Sequence, residues 1–348
     1  MRNSCVVDPI YGDVCFGQGL LADLHASQAV QRLGSVYQGG ITAFIRPERQ
    51  TTRLHHSIGV AALLQRLGAG LHEQAAGLVH DVAHTAFSHV VDFVFPNHEH
   101  IYHEDNRESM VLASDLPEIL GAYGLDWREI TNPECFSLLE QPLPQLCADR
   151  LDYFLRDGAV DIGTFSVEDA HRLLDHLTVH QGRIVVDDLE AARWLGDHFI
   201  ELDDRCWCSV QEVGWYAVMA EALRAALAGT IITEADFAGT DAEVLDRIGA
   251  AGNQEVDRWL ALLRHDVDFV RVTAQAAGAA ELVALPKVRS VDPPVLTEGG
   301  VVSLSHLDAG FQRRRQAYID GKQGIWHLKV VDGQDERASV THPTTQIE

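Results

Sequence analysis

Several marks of common protein classes are missing from this chain. Its six cysteines, Cys5, Cys15, Cys135, Cys147, Cys206 and Cys208, include no C-x-x-C pair, and Cys206-x-Cys208 is too tight for a zinc knuckle. In a chain of 348 residues they read as reduced thiols, mostly in the core, of a cytoplasmic protein. Positive charge is scarce: 27 Lys+Arg stand against 51 Asp+Glu, a formal net charge of -24 at pH 7. A nucleic-acid polymer needs a basic footprint, so none is expected as a partner, whereas a nucleotide needs only a few local cations. No apolar run approaches the roughly 20 residues of a membrane span. The opening Met1–Gly12 has no basic segment followed by an apolar stretch, so neither a membrane nor a signal peptide is expected. Internal repeats and low-complexity blocks are also lacking.

What is present is helical patterning. Apolar residues recur at helical spacing over Leu20–Val36, His56–Leu67, Glu73–His84, Arg107–Leu116, Asp126–Leu139, Gln145–Asp157, Leu189–Ala228 and Asp241–Thr273. Short strands or hairpins are expected at Cys5–Phe16 and Thr178–Asp187, a loop or short strand at Ile41–Arg49, and a polar, His-rich loop at Pro96–Asp105. Toward the end, Val288–Val301 reads as extended, Leu307–Tyr318 as helix and Ile325–Val331 as strand. The organisation expected is a core over residues 1–228, a helical and extended extension over 229–338, and a disordered polar tail over 339–348. Trp194, Trp207 and Trp215 read as core. Arg313–Arg315 with Lys322, the one basic cluster, reads as a solvated helix face or, less simply, as a phosphate contact.

The chemistry concentrates in the adjacent pair His80–Asp81, flanked by His56 upstream and Asp149 downstream. Two imidazoles and two carboxylates suit a first-row divalent ion and leave positions free for water and a phosphate oxygen. Taken singly, a His on a helix face or a lone Asp is more often structural. The pair, however, follows the apolar run Ala75–Val79, where an uncompensated carboxylate is costly. An antiparallel helix pair turning at Gly68–Gly70 brings His56 alongside His80, and a third helix brings Asp149. The ion is expected to lie beside the helix that carries His80 and Asp81, whose side chains diverge by about 100°.

The runs RLHHS (53–57), AGLVHDVAHTAFSH (76–89), His103–Glu104 and DRLDYFLRD (149–157) together resemble the HD-domain metal-dependent phosphohydrolases, in particular the dNTP triphosphohydrolase branch and its bacterial relatives. VDPIYG (7–12) and VQRL (30–33) add to the likeness, which covers residues 5–165 well and the remainder in outline. It implies a mainly α fold, an HD-domain helical bundle around a metal site, with small β-strand additions near the N-terminus and in the C-terminal part. It implies His56, His80, Asp81 and Asp149 as ligands of one divalent ion, with Mn, Fe, Co, Ni, Mg and Zn indistinguishable. It implies His84 and His103 at the phosphates, Arg53 as a phosphate contact, and Gln38, His89, Tyr153 and Asp157 among the substrate-binding residues. Helical spacing supports the last two independently, since Asp149, Tyr153 and Asp157 share a face. Arg150 joins them as a nearby cation.

One departure bears on the substrate. The branch brings His, Lys and Arg to the polyphosphate from a later helix; here the comparable stretch Cys206–Tyr216 holds no cation, and Arg205, Arg46 and Arg49 lie outside it. The expectation is therefore a metal-dependent phosphohydrolase releasing phosphate from a nucleoside mono-, di- or triphosphate, nucleoside tailoring included, without strong preference for triphosphates. His84 or His103, with an ordinary pKa of about 6.5, carries the proton. The alternatives are a dNTP triphosphohydrolase releasing inorganic triphosphate, a non-catalytic nucleotide-sensing HD domain, and a two-iron HD oxygenase. A homo-oligomer assembled through surfaces outside the core is compatible with the sequence.

Overall fold

The computed structural model describes residues 5–95, 102–273, 278 and 280–332. Three helices frame the site. The first, Arg53–Arg66, starts three residues before His56 because Thr52 caps it: its hydroxyl accepts from the His55 N–H while the His55 ring returns to the Thr52 N–H. Gly68, at φ 76°, turns the chain into the second helix, Leu71–Val79. The two pack closely because Gly77 has no side chain; a Cβ there falls 2.5 Å from Leu64 Cδ1. The third helix, Ala148–Arg156, lies against the first and continues into a wide turn, Asp157–Asp161, closed by the Ile162 N–H on the Asp157 carbonyl.

The second helix corrects one expectation. It ends at Val79, so His80 and Asp81 lie at and beyond its C-terminus rather than inside it. The cause is local: His80 Nδ1 sits 2.7 Å from the Gly77 carbonyl, one of the acceptors a helix end leaves without an intrahelical donor.

Other boundaries move for similar reasons. Leu20–Val36 divides into Leu20–Ala26 and Gln28–Arg32, because the Ser27 hydroxyl accepts from the Val30 N–H and starts a new helix. Ile41–Arg49 holds a short helix, Thr42–Ile45, and a helix over Tyr102–Leu112 replaces the end of the expected loop. Only Trp127–Ile130 and a single turn at Pro133–Cys135 form within Asp126–Leu139. Leu189–Ala228 is two helices, Leu189–Leu202 and Val210–Ala228, the second capped by Ser209. Asp241–Thr273 ends not in helix but in a strand, Val267–Val272. The expected tail, 339–348, lies outside the described residues.

Three small sheets complete the fold. Cys5–Asp8 pairs antiparallel with Gly12–Cys15. A four-stranded sheet runs Leu177–His180, Arg183–Val186, Pro294–Thr297, Gly300–Ser303, its middle pair parallel. In a three-stranded sheet, Trp326–Asp332 lies between Val267–Val272 and Leu282–Ala284. The first two sheets and the three framing helices share one apolar cluster, while Val210–Ala228 and the third sheet build another. The basic cluster is a structural face: Arg314 pairs with Asp197, Lys322 with Asp204, and Arg315 donates to the Val291 carbonyl. Among the described residues no helix is long and apolar enough to cross a membrane.

The cysteines require a correction. Cys5 and Cys15 form a disulfide, because the hairpin register sets them directly opposite, with Cα atoms 4.1 Å apart. Cys147, Cys206 and Cys208 are buried thiols, and Cys135 is exposed. With a disulfide present, cysteine usage no longer points to a reducing compartment.

The close crossing of the first and third helices is testable. A Cβ on Gly59 lies 2.0 Å from Arg156 Nη2 and 2.1 Å from Asp152 Oδ1, a fully buried ion pair. Gly59→Ala is expected to lower unfolding free energy by about 3 kcal/mol or more, the cost of breaking a buried pair, measured by urea denaturation. A loss below about 0.5 kcal/mol, typical of a tolerant surface site, contradicts the crossing.

Candidate active site

The three framing helices bring two imidazoles and two carboxylates to one point. His56 Nε2 lies 2.8 Å from Asp149 Oδ1 and 3.3 Å from His80 Nε2. His80 Nε2 is 3.3 Å from Asp81 Oδ1 and 3.5 Å from Asp149 Oδ1. Donor atoms of His56, His80 and Asp81 all fall within 4.8 Å of one another. Asp149 is the member most open to the cavity, with its side chain 22% exposed against 1% for His56.

The remaining ring nitrogens fix the orientation of both imidazoles. His80 gives Nδ1 to the Gly77 carbonyl, which leaves Nε2 facing the cluster. His56 Nδ1 is 2.7 Å from Asp152 Oδ2. Asp152 is itself held by Arg156, Nε to Oδ2 and Nη2 to Oδ1, both at 3.0 Å. Arg156 Nη1 then reaches Asp8 Oδ2 at 2.9 Å, tying the N-terminal hairpin to the site. A carboxylate behind a histidine is the arrangement that orients metal-binding imidazoles. The donor set therefore fits a divalent ion: two Nε2 atoms with their opposite nitrogens already bonded, and two carboxylates facing them.

The electrostatics agree. Burial alone lowers the His56 imidazole, but the hydrogen bonds its ring donates to Asp149 and Asp152 outweigh it and raise the pKa to about 10. Burial also works against the Asp81 carboxylate, yet Arg53, His80 and His84 hold its pKa well below the usual range. Arg53 Nη1 is 2.9 Å from Asp81 Oδ2, and its Nε donates to Ser88 Oγ at 3.0 Å. His84 Nε2 is 3.2 Å from Asp81 Oδ1, and burial together with Arg53 pushes its pKa down to about 3. This corrects the expectation of an ordinary titration for His84, which rests neutral. Burial and then Asp161 push the Asp157 carboxyl up to about 7, and the Trp207 indole donates to it at 2.6 Å.

These groups line a cavity of about 260 Å³. Arg53, His56, His80, Asp81, His84, His89, Asp149, Tyr153, Asp157, Gln38 and Arg150 all reach it. Gln38 Oε1 is buried without a hydrogen-bond partner among the described residues. His89 is oriented by Asp92 at 2.9 Å. Arg150 is largely committed elsewhere: its Nη1 donates to the Gln141 and Gln145 carbonyls and to Cys147 Sγ, and its Nη2 lies 3.5 Å from Glu140. The side chain of His103, like His98 and His100, lies outside the described residues.

Some residues of the site escaped the sequence reading. Asp152 and Arg156 lie inside DRLDYFLRD, and their i, i+4 spacing was a usable signal. Trp207, expected in the core, lines the cavity, as do Tyr216, Lys287 and Arg289. The cation-free Cys206–Tyr216 stretch therefore does not leave the cavity short of cations. Lys287 and Arg289 come from an extended segment far along the chain, which no local pattern connects to the site. Arg205 stays outside, paired with Glu201, and Arg46 lies over Trp215.

Comparison with known proteins agrees with this geometry. Residues 53–157, which hold all four clustered residues, match the HD domain family. Uncharacterized protein YdhJ of Bacillus subtilis is 36% identical over 326 residues, covering 92% of this chain and 98% of that protein. Metal-dependent phosphohydrolase cns2 of Cordyceps militaris is 34% identical over 331 residues, covering 91% of this chain and 93% of its own. A hypothetical protein from Aquifex aeolicus shares the fold at a TM-score of 0.66 and 20% identity, over 96% of this chain and 97% of that one. With this similarity running nearly end to end, the chain belongs to the HD-domain family of metal-dependent phosphohydrolases.

Proposed function

We propose that the protein hydrolyses a phosphoester or phosphoanhydride of a nucleotide, using one divalent ion held by His56, His80, Asp81 and Asp149. The observation that carries this reading is the convergence of two oriented Nε2 atoms and two carboxylates at a cavity wall, with the Arg53 guanidinium on one of those carboxylates. When bound, such an ion supplies Lewis-acid polarisation of a phosphoryl oxygen and a lowered pKa for water. A single ion is favoured because the neighbouring donor group, Glu140, Cys147 and Asp149, already has the Arg150 guanidinium on Cys147 and Glu140.

The chain's own side chains do the rest. Arg53, fixed by Ser88 and Asp81, presents positive charge to the phosphoryl group. His84 rests neutral, and a phosphate dianion arriving beside it favours the imidazolium, which then gives its proton to the leaving oxygen. His103 is the second candidate for that proton. Gln38 Oε1 accepts from a substrate hydroxyl, and Tyr153, Asp157 and His89 line the space for the sugar and base. A cavity of about 260 Å³ suits one small-molecule nucleotide and not a polymer.

Three outcomes test the reading. His80→Ala and Asp81→Ala are expected to lose both bound metal, measured by elemental analysis, and phosphate release from a nucleotide panel; stoichiometric metal with a near-normal rate in either variant removes the ligand assignment. His84→Ala is expected to keep its metal and lose roughly 10²–10⁴ in rate, whereas a change below about threefold demotes it from proton transfer. Because His56 and His80 are both raised by their carboxylate neighbours, metal must displace protons from them. Apparent metal affinity should therefore rise with pH from about 6 to 9, and affinity independent of pH across that window counts against these histidines as ligands.

A further inference from the structure

The segment between the strands Leu282–Ala284 and Pro294–Thr297 forms part of the cavity wall, through Pro286, Lys287 and Arg289. It is anchored there: the Arg289 N–H donates to the buried Asp203 carboxylate at 2.8 Å, and that carboxylate also accepts from the Tyr318 hydroxyl. The Arg289 guanidinium donates to the Lys287 carbonyl at 3.3 Å and to no carboxylate among the described residues. It lies 6.0 Å from the Trp207 ring. Trp207 packs edge-on against Tyr153 at 4.9 Å, and Tyr153 lies 6.5 Å from the His56 ring. One aromatic pair thus links the metal-binding end of the cavity to the end that holds Arg289. Lys287 is exposed yet lines the same cavity, which places it at the mouth.

Of the cavity's other cations, Arg107 likewise has no ion pair among the described residues, and its Nε is buried without a hydrogen-bond partner there. The cations nearer the metal end are engaged: Arg53 with Asp81, Arg49 with Glu212, and Arg150 with loop carbonyls. Desolvation and then Arg289, two residues away, disfavour the charge on Lys287, and the carboxylates that act on it from the neighbouring elements, Asp92, Glu104 and Glu140, form no ion pair with it among the described residues. A guanidinium that makes no ion pair among the described residues, facing a cavity in a protein of net charge -24, is suited to an anion that arrives from outside.

We propose that Arg289, with Lys287 at the mouth, forms a second phosphate subsite, which takes a phosphate of the substrate other than the one being hydrolysed. This rests on the phosphohydrolase reading above and narrows it to substrates with at least two phosphates. The C-terminal extension is then a specificity element, supplying the cations that Cys206–Tyr216 lacks.

The test uses full-length, metal-loaded protein and two probes, orthophosphate and pyrophosphate, titrated by calorimetry at one fixed metal concentration. Wild type is expected to prefer pyrophosphate, and Arg289→Ala to lose about 10–100-fold of that preference, the range of a charge-assisted hydrogen bond. Lys287→Ala should lose less, and Arg205→Ala, which removes the same charge from an exposed pair with Glu201, should retain the preference. If Arg289→Ala fails to fold by thermal melting, Arg289→Gln carries the same expectation. Equal affinity for the two probes in wild type overturns the subsite, as does a preference that survives in the double variant. An equal loss for both probes overturns it too, and so does a loss of affinity for an uncharged nucleoside in place of the pyrophosphate preference. Hydrolysis of p-nitrophenyl phosphate by wild type is followed separately: no turnover with the pyrophosphate preference intact and dependent on Arg289 removes the hydrolase reading and leaves the subsite.

Discussion

The site depends on a buried chain of charges running from Asp8 through Arg156 and Asp152 to His56. Both partners of the Arg156–Asp152 pair are withdrawn from water, and so is Asp8. Desolvating three charges is costly, and removing one member leaves another buried and uncompensated, which typically costs 3–5 kcal/mol. The chain persists because each oxygen and nitrogen is used: Arg156 engages both Asp152 oxygens and Asp8, while Asp152 also accepts from His56. Its effect is positional. It fixes one imidazole nitrogen, so that the other faces His80 and Asp149, and it explains why Gly59 has to be a glycine.

A second set of constraints fixes the loop after the His–Asp pair. Phe87 and Ser88 have φ of 61° and 52°, a left-handed conformation that costs non-glycine residues roughly 1–3 kcal/mol each. Asp241 offsets part of this by accepting from the Phe87 and Tyr37 N–H groups, at 2.6 and 2.8 Å. Arg32 holds the Val82 and His84 carbonyls. The loop so pinned carries Ser88, which in turn orients Arg53. Asp241 starts a helix of the C-terminal part, so that part supports the site as well as bordering it.

What the sequence made legible was the chemistry with local signatures. His56, His80, Asp81 and Asp149 meet because an amphipathic pair with a Gly turn and a third helix were all readable from periodicity. Helix ends were less readable, since they are set by single polar contacts: Ser27 and Ser209 as caps, and the His80 ring on the Gly77 carbonyl. The state of His84 was not readable at all. Its depressed pKa comes from burial beside Arg53, 31 positions away in sequence and adjacent only after folding. Lys287 and Arg289 were out of reach for the same reason, because their role depends on a sheet and an Asp203 contact that no window of sequence contains.

The charge of the cavity links metal to substrate. Among the described residues, six Lys and Arg side chains and eight Asp and Glu side chains line it. While no ion is bound, His56, whose pKa is raised to about 10, and His80, also raised, add positive charge to that lining and partly compensate the carboxylates around them. On the proposed reading, a divalent ion would take the place of the protons on these two histidines. Two of the carboxyls, Asp157 and Glu140, are pushed up to about 7 and carry only part of a charge near neutral pH. An ion held by Asp81 and Asp149 would draw on the charge of both carboxylates and so leave Arg53 freer to meet an incoming oxygen. The acidity of the chain as a whole repels anions from its surface, so that on the proposed reading metal, Arg53 and the cations of the C-terminal segment would act together to hold one.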